Sequence, residues 1–137
     1  MLLDIEVVIP GQPRAQKRHR PSFRGGNFDP SSEDKKVIRD HFFPHKQPKP
    51  YEGLLSIEIY AFFQTPKSWS EKKKKEVEGK FRGKTPDVDN ICKIVLDSLN
   101  KYIYTDDNLV VIQKVEKRYS VKPCTVIKLK SIEQEYI

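Results

Sequence analysis

Residues 54–63, Leu-Leu-Ser-Ile-Glu-Ile-Tyr-Ala-Phe-Phe, have fewer conformational options than any other part of this 137-residue chain. Ile57, Ile59 and Ala61 alternate with Glu58, Tyr60 and Phe62, and half of the run is β-branched or aromatic. A period of two in such residues fits a pleated strand with one face on a core. Pro50 and Pro66 stand outside the run and stop it from extending. The run is therefore expected in the middle of a β-sheet.

The other expected elements arrange themselves around that strand. Residues 2–9 alternate loosely between apolar and acidic and stop at Pro10-Gly11, as an opening strand does. Residues 109–119 and 124–129 read as two more strands, with Ser120-Val121-Lys122-Pro123 expected as the hairpin turn between them. A first helix is expected from Ser31 or Ser32, where a hydroxyl caps free amides and Glu33 and Asp34 meet the positive end of the dipole. It should run to about Phe43, bury Val37, Ile38, His41 and Phe42, and end at Pro44. Gln47-Pro48-Lys49-Pro50 forms an extended linker. Ser68-Trp69-Ser70-Glu71 has the form of a capping box opening a short helix through Gly79. A third helix is expected near Asn90, capped by Asp87 or Asp89, with Ile91, Ile94, Val95 and Leu99 facing inward. The sum is a single α+β domain over residues 1–137 with about four strands and about three helices. A chain of this length buries roughly two-thirds of its unfolded surface and needs no staples.

Charge narrows the partners. Formal net charge is +7 and the isoelectric point about 9.4, so a negatively charged partner is favoured. No apolar run reaches the roughly 18 residues of a membrane span, and Met-Leu-Leu-Asp-Ile-Glu lacks the basic start of a signal peptide. The cytoplasm is the expected location. Cys92 and Cys124 are far apart and expected as free thiols; His19, His41 and His45 have no ligand spacing to either, so no zinc site is expected. The basic residues cluster. Arg14, Lys17, Arg18 and Arg20 lie in a polar arm at 12–20, either contacting phosphates or forming a solvated linker. Lys72 and Lys73 belong to a lysine run on the second helix, and Lys84 to the polar loop Phe81-Arg82-Gly83-Lys84-Thr85-Pro86; each is solvated or faces DNA. Trp69 either anchors its helix or offers a base-stacking platform.

Against this basic background, residues 87–107 concentrate acid. Asp87 and Asp89 are separated by one residue, so both can turn toward a hard cation. Lys93 stands one turn beyond Asp89 on a polar face shared with Asn90, Asp97 and Lys101. Asp106 and Asp107 follow the helix at the mouth of the next strand, from which a third carboxylate can reach the same place. Clustered carboxylates repel one another unless paired. Magnesium or manganese relieves that repulsion, prefers oxygen ligands and keeps waters, one of which can attack a phosphodiester. An EF-hand loop is excluded because Ile91 and Cys92 stand where a ligand and the obligatory glycine belong. An aspartyl-phosphate enzyme would carry its Asp-x-Asp at the end of an apolar strand, and Phe-Arg-Gly-Lys-Thr-Pro precedes this one. A nucleotide-sugar transferase needs a larger nucleotide-binding domain. Helix capping plus a surface turn would also account for the aspartates taken alone.

The complete pattern, Pro-Asp-Val-Asp-Asn-x-x-Lys-x-x-x-Asp-x-Leu-Asn followed by Tyr-Thr-Asp-Asp-Asn and a strand, resembles the RusA-type Holliday junction resolvases of bacteria and their phages. The resemblance also takes in the opening Ile-Pro-Gly-Gln-Pro and the basic arm, where Lys17-Arg18-His19-Arg20 departs from the commoner Arg-Pro-Arg form. It implies a RusA-like mixed sheet. It further implies that Asp87, Asp89 and Asp107 are metal-binding catalytic carboxylates, that Lys93 is the essential lysine, and that Asn90, Asp97 and Asp106 support them. The implied activity is a magnesium-dependent homodimer that nicks two opposed strands of a four-way junction. One site per subunit about a two-fold axis would match the symmetry of such a substrate. A non-catalytic basic DNA-binding protein and a small-molecule phosphohydrolase are the competing readings. Carboxylates beside phosphate argue against the first, and the arm and lysine helix against the second.

Overall fold

Four strands form one sheet. The structure is a computed structural model describing residues 2–17, 20–21 and 27–133. The strands are β1 (Asp4–Pro10), β4 (Leu55–Gln64), β5 (Val110–Ser120) and β6 (Cys124–Ser131); β2 (Arg20–Pro21) and β3 (Asn27–Phe28) pair separately. β4 is internal, as its composition demands. It pairs with β6 antiparallel and with β5 parallel, while β1 pairs with β6 antiparallel. The fold is thus α+β with a mixed sheet, completed by α1 (Ser32–Phe42), α2 (Glu71–Val77) and α3 (Val88–Leu99).

The period-two pattern decides which face is covered. Ile5, Val7 and Ile9 of β1, Leu55, Ile57, Ile59, Ala61 and Phe63 of β4, and Ile127 and Leu129 of β6 are buried. They form one core with Ile38 and Phe42 of α1 and Ile91, Ile94, Val95 and Leu99 of α3. α1 packs against α3 and β1, and α3 against β5, so both helices lie over the same face. Tyr104 is fully buried, and its hydroxyl donates to the Leu96 carbonyl at 2.6 Å. That bond ties the chain after α3 back to the helix.

Several boundaries differ from expectation for local reasons. The segment 120–123 does not close a hairpin: β5 and β6 flank β4, and the turn passes over the end of β4. Gln64 and Thr65 hold it there, Gln64 Nε2 donating to Val121 O and Thr65 N to Ser120 O. Turn residues mark a reversal of direction, but they do not say whether the reversed strand sits beside its predecessor or one strand away. β1 begins at Asp4 rather than residue 2. In α2 the capping hydroxyl is Ser70, which accepts from Lys73 N at 3.1 Å, and the helix ends at Val77, before Gly79. α3 begins at Val88, two residues before the expected start. Pro44 does not terminate the first helix cleanly: α1 ends at Phe42 and a 3-10 turn, Phe43–His45, follows it. Proline fits the first turn of a helix because its missing N–H has no partner there. His41 lies at the core edge, its ring nitrogen Nδ1 2.9 Å from Val37 O. Both cysteines are free, Cys92 buried and Cys124 half-buried. Among the described residues no helix is long and apolar enough to cross a membrane.

Candidate active site

α3 owes its N-terminal geometry to Asp87. Its backbone is extended (φ −71, ψ 151), its carbonyl accepts from Asn90 N and Ile91 N, and its side chain makes no capping hydrogen bond. The carboxylate that could have served as the cap is left for other work. Asp89 lies in the first turn, where the helix dipole favours negative charge. At the far end Asn100 caps the helix, and Lys101, with φ of 63, reverses the chain. The return leads to Asp106, whose side chain accepts from Asn108 N at 2.8 Å and so shapes the 3-10 turn Asp107–Leu109 at the start of β5. This use of Asp106 separates it from its neighbour: Asp106 builds the turn, and Asp107 faces the helix.

Asp89, Lys93, Asp97 and Asp107 line one open groove of about 250 Å³, together with Cys92, Leu96 and Gln113. At roughly 30 Å³ per water, that space accommodates a hydrated cation and a phosphate group. Asp87 is exposed at the start of the helix and is not among the groove-lining residues. Lys93 is well exposed, with Nζ 3.4 Å from Asp97 Oδ2. Asp97 also has Lys35 Nζ at 4.0 Å, and Lys35 holds Asp29 at 2.6 Å. The acidic groove is thereby tied electrostatically to α1.

Asp107 is held above the usual carboxylate range. Burial is the largest cause; the adjacent Asp106 carboxyl and the charge on Asp97 add to it, and Lys93 opposes it. A raised folded-state value means that the ionised form costs stability near neutral pH and that the cost fades as pH falls through that value. Metal-free Asp107→Asn is accordingly expected to melt at a higher temperature than wild type near neutral pH. The two should converge in acid well below the ordinary carboxylate range. Thermal melts at both extremes check this, and a lower melting temperature for the variant near neutrality would contradict it.

Among the described residues, no three His, Cys, Asp or Glu side chains stand together as a closed cation cage. The donor set nonetheless suits magnesium, which is commonly held through one or two carboxylates while keeping most of its waters. Asp89, Asp97 and Asp107 are the carboxylates lining the groove, and Lys93 is its cationic lining residue. Three lining residues, Cys92, Leu96 and Gln113, were not expected at the site from the sequence. Cys92, whose thiol is pushed up by burial and by the charge of Asp89, donates to Gln113 Oε1 at 3.3 Å. Gln113 pairs with Ile57 and so belongs to the helix-covered face of β5.

The basic arm reaches the same region. Gln16 N donates to Asn90 O at 2.9 Å, and Lys17 N to Ser31 Oγ at 2.8 Å. A second groove is lined by the arm, Asp34 and Pro86. Pro13 is buried and Ala15 packs on the core, so the arm is anchored by its small apolar residues. Arg14 Nε is bound to Asp34 Oδ1 at 3.1 Å, whereas Lys17 is exposed with Nζ 3.9 Å from Asp34. Arg18 lies outside the described residues, and only the backbone of Arg20, in β2, is described. Lys72, Lys73 and Lys84 are exposed. Lys73 Nζ sits 3.9 Å above the Trp69 ring, which also meets Tyr119 at 5.6 Å, so Trp69 packs α2 onto β5.

Comparison with known proteins gives two matches. The family model described as Endodeoxyribonuclease RusA matches residues 10–130. A protein of Bacillus subtilis (strain 168) named Uncharacterized protein YqaN is 35% identical over 137 residues, covering 93% of this chain and 96% of the relative.

Proposed function

We propose, from the premise that the chain belongs to the RusA endodeoxyribonuclease family, that it is a metal-dependent, structure-selective endonuclease. In this reading it resolves Holliday junctions by paired symmetric nicks, acting as a homodimer with one groove per subunit. The observation that carries the reading is the single groove lined by Asp89, Asp107 and Lys93 beside the basic arm. Asp89 and Asp107 would hold magnesium or manganese, with Asp87 at the groove's approach. When bound, the ion would neutralise charge at the phosphate and activate a water for attack. Lys93 would hold a non-bridging phosphate oxygen, and Asp97, through its ion pair, would fix where that ammonium rests. Lys17, Lys84 and the exposed lysines of α2 would contact phosphates around the site, giving affinity that falls with salt.

A non-catalytic DNA-binding role is the competing reading, and the exposed lysines of the arm and of α2 would serve it equally. Incubating the protein with an end-labelled four-way junction, and with linear duplex of the same sequence, decides between them. Junction cutting that requires magnesium or manganese and spares linear duplex is the expected result. Binding without cutting under either ion supports the competing reading instead.

A further inference from the structure

The segment that leads to Asp87, at the start of α3, and on to Asp89, in the groove, is tied to the outer edge of β5 in two different ways. Over residues 79–82 the ties are backbone bonds: Gly79 N donates to Tyr119 O, Tyr119 N to Lys80 O, and Arg82 N to Lys117 O, each at 2.9 Å. Beyond Arg82 the chain leaves the strand edge, and its carbonyls must find other partners or face water. Two cations provide them. Lys117 Nζ donates to Lys84 O at 2.7 Å and to Pro86 O at 3.0 Å. Arg82 Nη1 donates to Thr85 O at 2.8 Å and to Lys84 O at 3.3 Å. Three consecutive carbonyls immediately before Asp87 are thus held by side-chain cations.

Both cations are themselves anchored. The Arg82 guanidinium lies 4.3 Å above the ring of Phe63, which is buried in the core. Such stacking fixes a planar cation while leaving its N–H edge free to donate. Lys117 sits opposite Ala61 in the β4/β5 register, on the helix-covered face, where a charged residue at an edge strand needs an internal partner. With two of its three N–H donors on loop carbonyls, its ammonium is committed to the 84–86 backbone.

We propose that Lys117 and Arg82 are positioning residues, a pair of anchored cations that lock the 84–86 backbone so that Asp87 and Asp89 are presented to the metal in one arrangement. This rests on the metal-site reading above and adds residues that touch neither metal nor DNA. Charge and position make opposite predictions here. Removing a positive charge near carboxylates should tighten a divalent cation if charge alone matters; losing the lock should weaken it. Outer-shell partners of metal ligands commonly change affinity by about 10–100-fold.

The test is Mn2+ titration of the full chain, following the free aquo-ion by electron paramagnetic resonance, for wild type, Lys117→Met, Lys117→Arg and Arg82→Met. Metal-free melting and metal-free junction binding are measured alongside. Weakening of Mn2+ by about tenfold in Lys117→Met, restoration to within about threefold in Lys117→Arg, and unchanged metal-free junction binding are expected. Unchanged or tighter Mn2+ binding by Lys117→Met overturns the proposal, as does a lower metal-free melting temperature with Mn2+ affinity intact. Wild type that binds junction but no Mn2+ overturns the metal-site reading and the lock with it, an outcome distinct from wild-type binding that the variants share. If Lys117→Met does not fold, Arg82→Met carries the same expectations through the Lys84 and Thr85 carbonyls.

Discussion

Asp89→Asn is expected to bind a four-way junction as tightly as wild type or slightly more tightly, while cutting it at least about 10³-fold more slowly, roughly 4 kcal/mol of lost transition-state stabilisation. The direction of the two effects follows from where Asp89 stands. It lines the groove with Lys93 and Asp107, so its charge opposes an approaching phosphate, and an amide of the same shape removes that repulsion. The same amide is a poor ligand for a hard divalent cation, and the rate falls. The fold should tolerate the change: the residue is exposed in the first turn of α3, and the N-cap position belongs to Asp87. Single-turnover cleavage and gel-shift titration in calcium give the two quantities. A variant that cuts at the wild-type rate, or that loses affinity in step with rate, removes Asp89 from the proposed role.

Phe42→Ala is the largest expected loss of stability outside the site. Phe42 has no exposed surface and lies, with Ile38, on the buried side of α1, the helix that packs against α3 and β1. Truncating a fully buried phenylalanine costs about 3–5 kcal/mol, since the cavity closes only in part. Domains of this size hold about 5–15 kcal/mol in all. A fall in melting temperature on the order of 10–20 °C follows. The damage should extend to the site, because α1 carries Lys35, which reaches Asp97, and Asp34, which binds Arg14. At a temperature where the variant is still folded, junction binding through the arm should weaken. A fall of only about 3 °C would show that α1 is not the load on the core that its burial implies.

Much of this was legible in the residues. Alternation in 54–63 announced an internal strand because a half-covered pleat has no other economical sequence, and β4 is that strand. The apolar spacing of Ile91, Ile94, Val95 and Leu99 named the inward face of α3, and all four are buried. Asp106 and Asp107 could be told apart only by the family pattern; in the structure Asp106 accepts from Asn108 N, whereas Asp107 lines the groove. What the residues did not disclose concerns partners remote in sequence. Ser120-Val121-Lys122-Pro123 reads identically whether the next strand lands beside β5 or beyond β4. Gln113 and Lys117 look like the polar half of an ordinary edge strand until their register with Ile57 and Ala61 is known.

The sequence by itself determined the four strands of the main sheet and the three α-helices to within a few residues, the acidic stretch and the family, because each depends on side-chain pattern within a few turns or on a motif read in line. Only the tertiary structure decided that β4 separates β5 from β6, that Asp89 and Asp107 share a groove which Asp87 does not line, and that Lys117 and Arg82 hold the backbone leading to them. Those outcomes turn on which distant segments meet. Local propensity carries no information about that, and burial of one shared core settles it.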